Sequence, residues 1–260
     1  MRILLLAAAA IPLLALAVHA QAPAQTPAPG SPDALVTKAK RAAGTDYAGT
    51  FLRICVAPDN LNAPGPRAGG AGPRAVPDRA TWYARPYKVF DNLYFIGTRI
   101  HSAWALTTSD GIIVIDTLYD YAAEAEIVDG LTALGLDPRT IKYVLISHAH
   151  GDHDQGAALL QRRFGAKVVM GEADWAATLQ RPATAAGGVP TRDIAVGPGG
   201  TTITLGDTSV TVVSTPGHSP GTLSFFFPVK DQGRTLTVAY AGGTAFNFPR
   251  RTENFAIYRD

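Results

Sequence analysis

The chain has 260 residues, 47% of them hydrophobic and 17% charged, with a net charge of +2, one cysteine and six histidines. A single cysteine builds no internal disulfide framework, so even a charge count argues against a dedicated nucleic-acid binder, and the apolar content excludes a disordered chain. What remains is a globular chain long enough for one α/β domain with a sizeable core.

The N-terminus reads Met1-Arg2, an apolar run of sixteen residues from Ile3 to Val18, then His19-Ala20 before Gln21. One positive charge, a short hydrophobic stretch and a small residue match a secretory signal peptide cut after Ala20. A membrane anchor is the rival reading, but the run is shorter than the ~20 residues that span a bilayer, so no stable membrane insertion is expected. The expected location is periplasmic or secreted. Loss of Arg2 leaves 22 basic against 21 acidic residues, and loss of His19 leaves five histidines to explain.

Residues 21–32 are rich in Ala, Pro and Gln and read as a flexible leader, followed by a helix from Asp33 to Ala43 ending near Gly44. The Pro/Gly-rich stretch from Pro58 to Pro77 reads as a loop. Short strands follow at Val89-Phe90, Leu93 to Ile96, Ala103 to Thr108 and Ile112 to Asp116, with turns at Asp91-Asn92 and Ser109-Asp110-Gly111. A helix fits Ala122 to Leu134, where Ile127, Leu131 and Leu134 recur on one face and Gly135 suits the end.

Beyond it the pattern alternates between a strand at Lys142 to Ser147, a helix at Gly156 to Phe164, a strand at Lys167 to Met170 and a helix at Glu172 to Leu179. After a polar loop to Gly200, strands recur at Thr201 to Leu205, Val210 to Ser214, Thr222 to Phe227 and Thr235 to Tyr240. The chain stops at Asp260 inside a helix-like stretch from Glu253. No strand follows it to complete the second layer.

The densest chemistry is Ser147-His148-Ala149-His150-Gly151-Asp152-His153, at the end of an apolar strand and before a helix. Imidazole nitrogens and a carboxylate are the donors that a borderline-soft ion such as zinc selects, and a loop can turn them in different directions. His148 and His150 can face one way and Asp152 and His153 another, which suggests two metals. A solvated polar loop with incidental histidines is the alternative, and the clustering of three of the five remaining histidines speaks against it. His218 lies in Thr215-Pro216-Gly217-His218-Ser219-Pro220-Gly221, a second sharp turn after a strand, and reads as a further ligand.

Together these motifs resemble the metallo-β-lactamase superfamily, with the likeness running from about Phe90 onward and including Gly111-Ile112-Ile113-Val114-Ile115-Asp116. The resemblance implies a four-layer αββα sandwich within a domain spanning 33–260. It implies two zinc ions, with His148, His150 and His218 matching the first site and Asp152 and His153 the second. Thioesterase, lactonase and phosphodiesterase branches carry a metal-bridging Asp late in the chain, and Gly243 of Tyr240-Ala241-Gly242-Gly243-Thr244 stands in its place. The pattern therefore looks most like the B3-type β-lactamases, with two departures. A serine usual near Gly243 is represented only by Thr244, and the last ligand of the second zinc site, a C-terminal His in that subclass, has no counterpart after His218, which the resemblance reads either as a truncated chain, favoured by the unfinished second sheet, or as a weak second site.

The resemblance implies a secreted, monomeric zinc hydrolase that opens the β-lactam ring by attack of a metal-bound hydroxide, with Asp152 as the catalytic residue orienting it. A hydrolase of another ester, lactone or amide and a degenerate metal-binding scaffold are the alternatives. Asp116 is a candidate to support a metal-bound imidazole. His101 is expected at a surface or strand edge, with substrate contact as the alternative, and Cys55 as a small buried residue or one half of a lost disulfide. Asp154, Gln155, Trp104, Phe246 and Phe248 are candidates to line the pocket. No Gly-x-Ser-x-Gly elbow supports a serine hydrolase.

Overall fold

The computed structural model describes residues 28–55 and 75–243, without the side chains of residues 50 and 53–55. The signal peptide and its cleavage point, most of the leader and of the Pro58–Pro77 loop, the Cys55 side chain, Thr244, Phe246, Phe248 and the helix expected near Glu253 fall outside these residues. The chain divides into two compact units, residues 1–65 and 66–260. In the first, α1 (Pro32–Ala43) starts where proline is tolerated, and Ser31 Oγ caps it by accepting from Ala34 N. Helix α2 (Ala48–Cys55) follows.

The second unit holds two sheets. Strands β1 (Tyr87–Phe90), β2 (Leu93–Phe95), β3 (Trp104–Thr108) and β4 (Gly111–Ile115) pair as antiparallel hairpins. Strands β5 (Ile141–Leu145), β6 (Lys167–Gly171) and β7 (Ile194–Val196) extend the sheet in parallel, giving seven strands in chain order. Strands β8 (Thr201–Leu205), β9 (Thr208–Ser214), β10 (Leu223–Asp231) and β11 (Arg234–Tyr240) form the second, antiparallel sheet.

The apolar run of β4 is explained by burial on both faces, as parallel sheets require. Ile112 and Val114 join the core beneath the helices, whereas Ile113 and Ile115 join the core between the sheets, where Val210, Val212, Phe225 and Phe227 meet them. The helix side is covered by α3 (Arg79–Trp82), α4 (Asp120–Ala123), α5 (Asp129–Ala133), α7 (Ala157–Phe164) and α8 (Glu172–Leu179); α6 (Gly151–Asp154) belongs to the histidine loop. Helix layer, sheet and sheet are the first three layers of the expected αββα sandwich.

Three elements depart from the sequence reading. The helix expected at Ala122–Leu134 begins at Asp120 and carries a π turn over Glu124–Val128, which places Glu126 in the interior, where Oε1 accepts from Ala84 N at 2.9 Å. Burial pushes the Glu126 carboxyl up to about 7. The three residues of β7 lie in the stretch read as loop, because their strand state comes from pairing with β6. Strand β10 continues through Pro228, whose missing N–H is tolerated because its β9 pairing has already ended at Phe226.

Candidate metal centre

The site forms where β5 ends. Asp116, just past β4, is fully buried and takes a positive φ of 59°, uncommon for a residue with a side chain. The bend turns its carboxylate under the histidine loop. Ser147 N donates to Oδ1 at 2.7 Å, and Ser147 Oγ and Tyr240 Oη donate to Oδ2 at 2.8 and 2.7 Å. His153 Nδ1 lies 2.7 Å from the same Oδ2. Thr117 adds a further anchor, with its N–H and hydroxyl both donating to the His153 carbonyl. The expected supporting role of Asp116 thus has a concrete form in an acceptor that orients His153.

His148, His150 and His218 converge from two loops, with one ligating atom of each lying within 4.8 Å of the others. His148 is 2% exposed, and its Nδ1 lies 2.8 Å from the Gly242 carbonyl. Because a carbonyl only accepts, Nδ1 carries the proton and Nε2 offers its lone pair. Among the described residues that Nε2 is buried without a hydrogen-bond partner. A buried acceptor left unmatched is costly in a core, and a cation is what would satisfy it. Burial lowers His148 to about 3, helped by the positive charge on His153, and burial also lowers His150. Neutral imidazoles are the ligating form. The three-histidine set fits zinc by donor type and by this orphaned nitrogen.

Asp152 and His153 form the neighbouring part. His153 Nε2 lies 3.4 Å from Asp152 Oδ2, and the His153 and His148 rings are 4.0 Å apart. Burial opposes a charge on His153, but Asp116 and Asp152 outweigh it and raise the imidazolium to about 10. Burial would likewise raise Asp152, yet His153 holds it well below the usual carboxylate range.

His101, expected at a surface or edge, instead faces the site with Nε2 3.8 Å from Asp152 Oδ2 and its ring edge-on to Tyr119. A tight turn, in which Thr98 N donates to the His101 carbonyl and His101 N to Thr98 Oγ1, aims it there. No sequence signal marks that approach, since it depends on how the β2–β3 loop folds back.

The other candidates separate. Trp104 packs on the core between the sheets. Asp154 is buried and pairs with Arg181 at 2.6 Å, and burial still raises its carboxyl to about 6. Gln155 accepts from Asp120 N. Residues with no sequence signal also enter the site. Tyr240 reaches Asp116 from the other sheet, and Asp174 accepts from Ala149 N and Ser219 Oγ.

Gly243 lies against His218. A Cβ there would stand 2.6 Å from His218 Cβ and Cγ, closer than side chains tolerate. The position that holds a bridging Asp in the esterase branches thus has no room for a side chain in this arrangement.

Comparison with known proteins agrees with this geometry. Among solved structures, the chain is similar to a subclass B3 metallo-beta-lactamase of Bradyrhizobium japonicum, at 30% identity with a TM-score of 0.60 over 68% of this chain and 71% of that one. It is also similar to a class B3 di-zinc metallo-beta-lactamase from an Alaskan soil metagenome, at 27% identity with a TM-score of 0.61 over 72% and 73%. Curated relatives include the hydroxyacylglutathione hydrolase of Acidiphilium cryptum, 34% identical over 108 residues (42% of this chain, 38% of the relative). That of Brucella ovis is 30% identical over 150 residues (58% and 47%), so the chain spans less than half the length of either relative. Residues 96–231, just over half of the chain, match the family profile, and the chain belongs to the metallo-beta-lactamase superfamily.

Proposed function

We propose that this protein is an exported zinc-dependent hydrolase of the B3 type that opens the β-lactam ring. The observation that carries this reading is Gly243 packed on His218, which leaves no place for the bridging Asp of the thioesterase-like branches. His148, His150 and His218 would hold the first zinc, and Asp152 and His153, the latter after giving up its Nε2 proton, would contribute to a second. Zinc, when bound, supplies Lewis acidity toward the carbonyl and lowers the pKa of water to about 7.

The chain's own residues supply the order around that chemistry. The Gly242 carbonyl fixes the His148 tautomer, and Asp116 holds the His153 ring through its Nδ1, leaving Nε2 toward Asp152. The Asp152 carboxylate, held ionised by His153, is placed to accept a hydrogen bond from attacking water and so aim it. His101 stands 3.8 Å from Asp152 as a largely neutral imidazole, because burial lowers its pKa.

The test is hydrolysis of a chromogenic cephalosporin by purified protein, lost with a chelator and restored by zinc. The sequence likeness to hydroxyacylglutathione hydrolases supports a second reading. Turnover of a hydroxyacylglutathione thioester with no cephalosporin turnover would replace the first reading by that one.

A further inference from the structure

We propose that helix α8, which contributes no histidine, is the brace that sets the spacing of the three-histidine cluster, with Asp174 and Arg181 as its positioning residues. The inference rests on the cluster holding a metal.

The three rings come from two loops that are remote in sequence. His148 and His150 flank Ala149, and His218 precedes Ser219. The direct backbone bond between the two segments among the described residues runs from Leu223 N to the Ser147 carbonyl at 2.8 Å. The His150 Nδ1 and His218 Nε2 atoms also lie 3.1 Å apart, and one buried carboxylate adds three further ties. Asp174, in the first turn of α8 and 2% exposed, accepts from Ala149 N at 2.8 Å and Ser219 Oγ at 2.6 Å through Oδ2, and from Gly221 N at 2.9 Å through Oδ1. Two residues beyond the end of α8, Arg181 donates from Nη2 to the Ala149 carbonyl at 2.7 Å. Its Nη1 pairs with Asp154, the residue after His153.

Both polar groups of Ala149 are therefore gripped from α8, by an acid on one side and a base on the other. A shift of that residue would carry His148 and His150 with it, and Asp174 ties the same residue to the His218 turn. The contact is built for close approach. A Cβ on Gly221 would meet Asp174 N at 2.6 Å, and one on Gly171 would meet the Gly221 carbonyl at 2.0 Å. Charge-assisted hydrogen bonds in a buried setting are the strong ones, and they restrict geometry as well as add energy.

Asp174→Asn keeps the volume but replaces one acceptor oxygen by an NH2 that faces either Gly221 N or the Ala149 N and Ser219 Oγ pair, and Arg181→Ala frees the Ala149 carbonyl. Zinc affinity, measured by chelator competition, is expected to fall about 10- to 100-fold in each, the span that partners behind metal ligands usually command. The visible spectrum of the cobalt-substituted protein is expected to change with them, because ring geometry alters. Arg181→Lys, which retains the charge and a donor and disturbs folding least, is expected to recover part of the affinity. Wild-type affinity and an unchanged cobalt spectrum in Asp174→Asn and Arg181→Ala would overturn the brace alone. Failure of the wild-type protein to take up zinc would overturn the metal reading and the brace with it.

Discussion

The His148–His150–His218 cluster and the Asp116–His153 network share one loop, yet they treat charge in opposite ways. The cluster sets His148 and His150, which burial keeps neutral, beside His218, and leaves the buried His148 Nε2 without a partner among the described residues. The network is already balanced, with the His153 imidazolium set between Asp116 and Asp152 and four donors converging on Asp116. The difference teaches that a site poised for a cation is marked by unmet acceptors, whereas a self-satisfied group of charges next to it serves as the frame.

The comparison is tested most severely by removing the frame. Asp116→Ala strands the His153 charge and several buried donors, and should cost about 3–5 kcal/mol in urea unfolding, as the loss of one member of a buried pair does. A loss below about 1 kcal/mol would mean that the network is not what holds the loop. His218→Ala attacks the other region. It should lower zinc affinity at least about 100-fold, the upper end of what supporting residues command, with little effect on metal-free stability. A metal-free unfolding midpoint that drops as far as in Asp116→Ala would erase the distinction between cluster and frame.

Gly243→Ala probes the seam between cluster and second sheet. Its Cβ forces His218 to move, and the expected cost is about 1–3 kcal/mol from overpacking, accompanied by weaker zinc binding. Unchanged zinc affinity would show that the ring has room to spare.

Glu126 is a third case, a buried carboxylate that among the described residues has no cation bonded to it and one oxygen unpartnered. Its folded pKa of about 7 lies above the ordinary 4.5, so between these values the folded state holds more protons than the unfolded one. Stability accordingly falls as pH rises through that window. Glu126→Gln should flatten this slope and, at pH 8, exceed the wild type by about 1–2 kcal/mol. Parallel stability–pH curves for the two proteins would exclude Glu126 as the source.

The elements legible in advance were those with a local signature. The β3–β4 hairpin shows its Asp110-Gly111 turn between apolar runs, and α7 ends before Gly165 as expected. Strand β7 and helix α3 carried no such mark, because three or four residues are too few for a period to emerge. At the site, the histidine loop and His218 were legible because several ligand types within six residues, and a histidine in a Pro/Gly turn, are rare by chance. His101, Tyr240, Asp174 and Arg181 were not. Each is an ordinary residue of a loop, strand or helix end, and each gains its role from a partner 25 to 124 positions away.

The sequence by itself determined which atoms are available for chemistry, since donor identity and close spacing are covalent facts that survive in any conformation. It also determined the alternation of apolar strands and helices that builds a two-sheet core. Only the tertiary structure decided which nitrogen of His148 is left bare, which carboxylate steadies His153, and that a helix without a ligand grips both loops. Those outcomes depend on burial and on contacts across long stretches of chain, where removing water makes each unmatched or matched polar atom count.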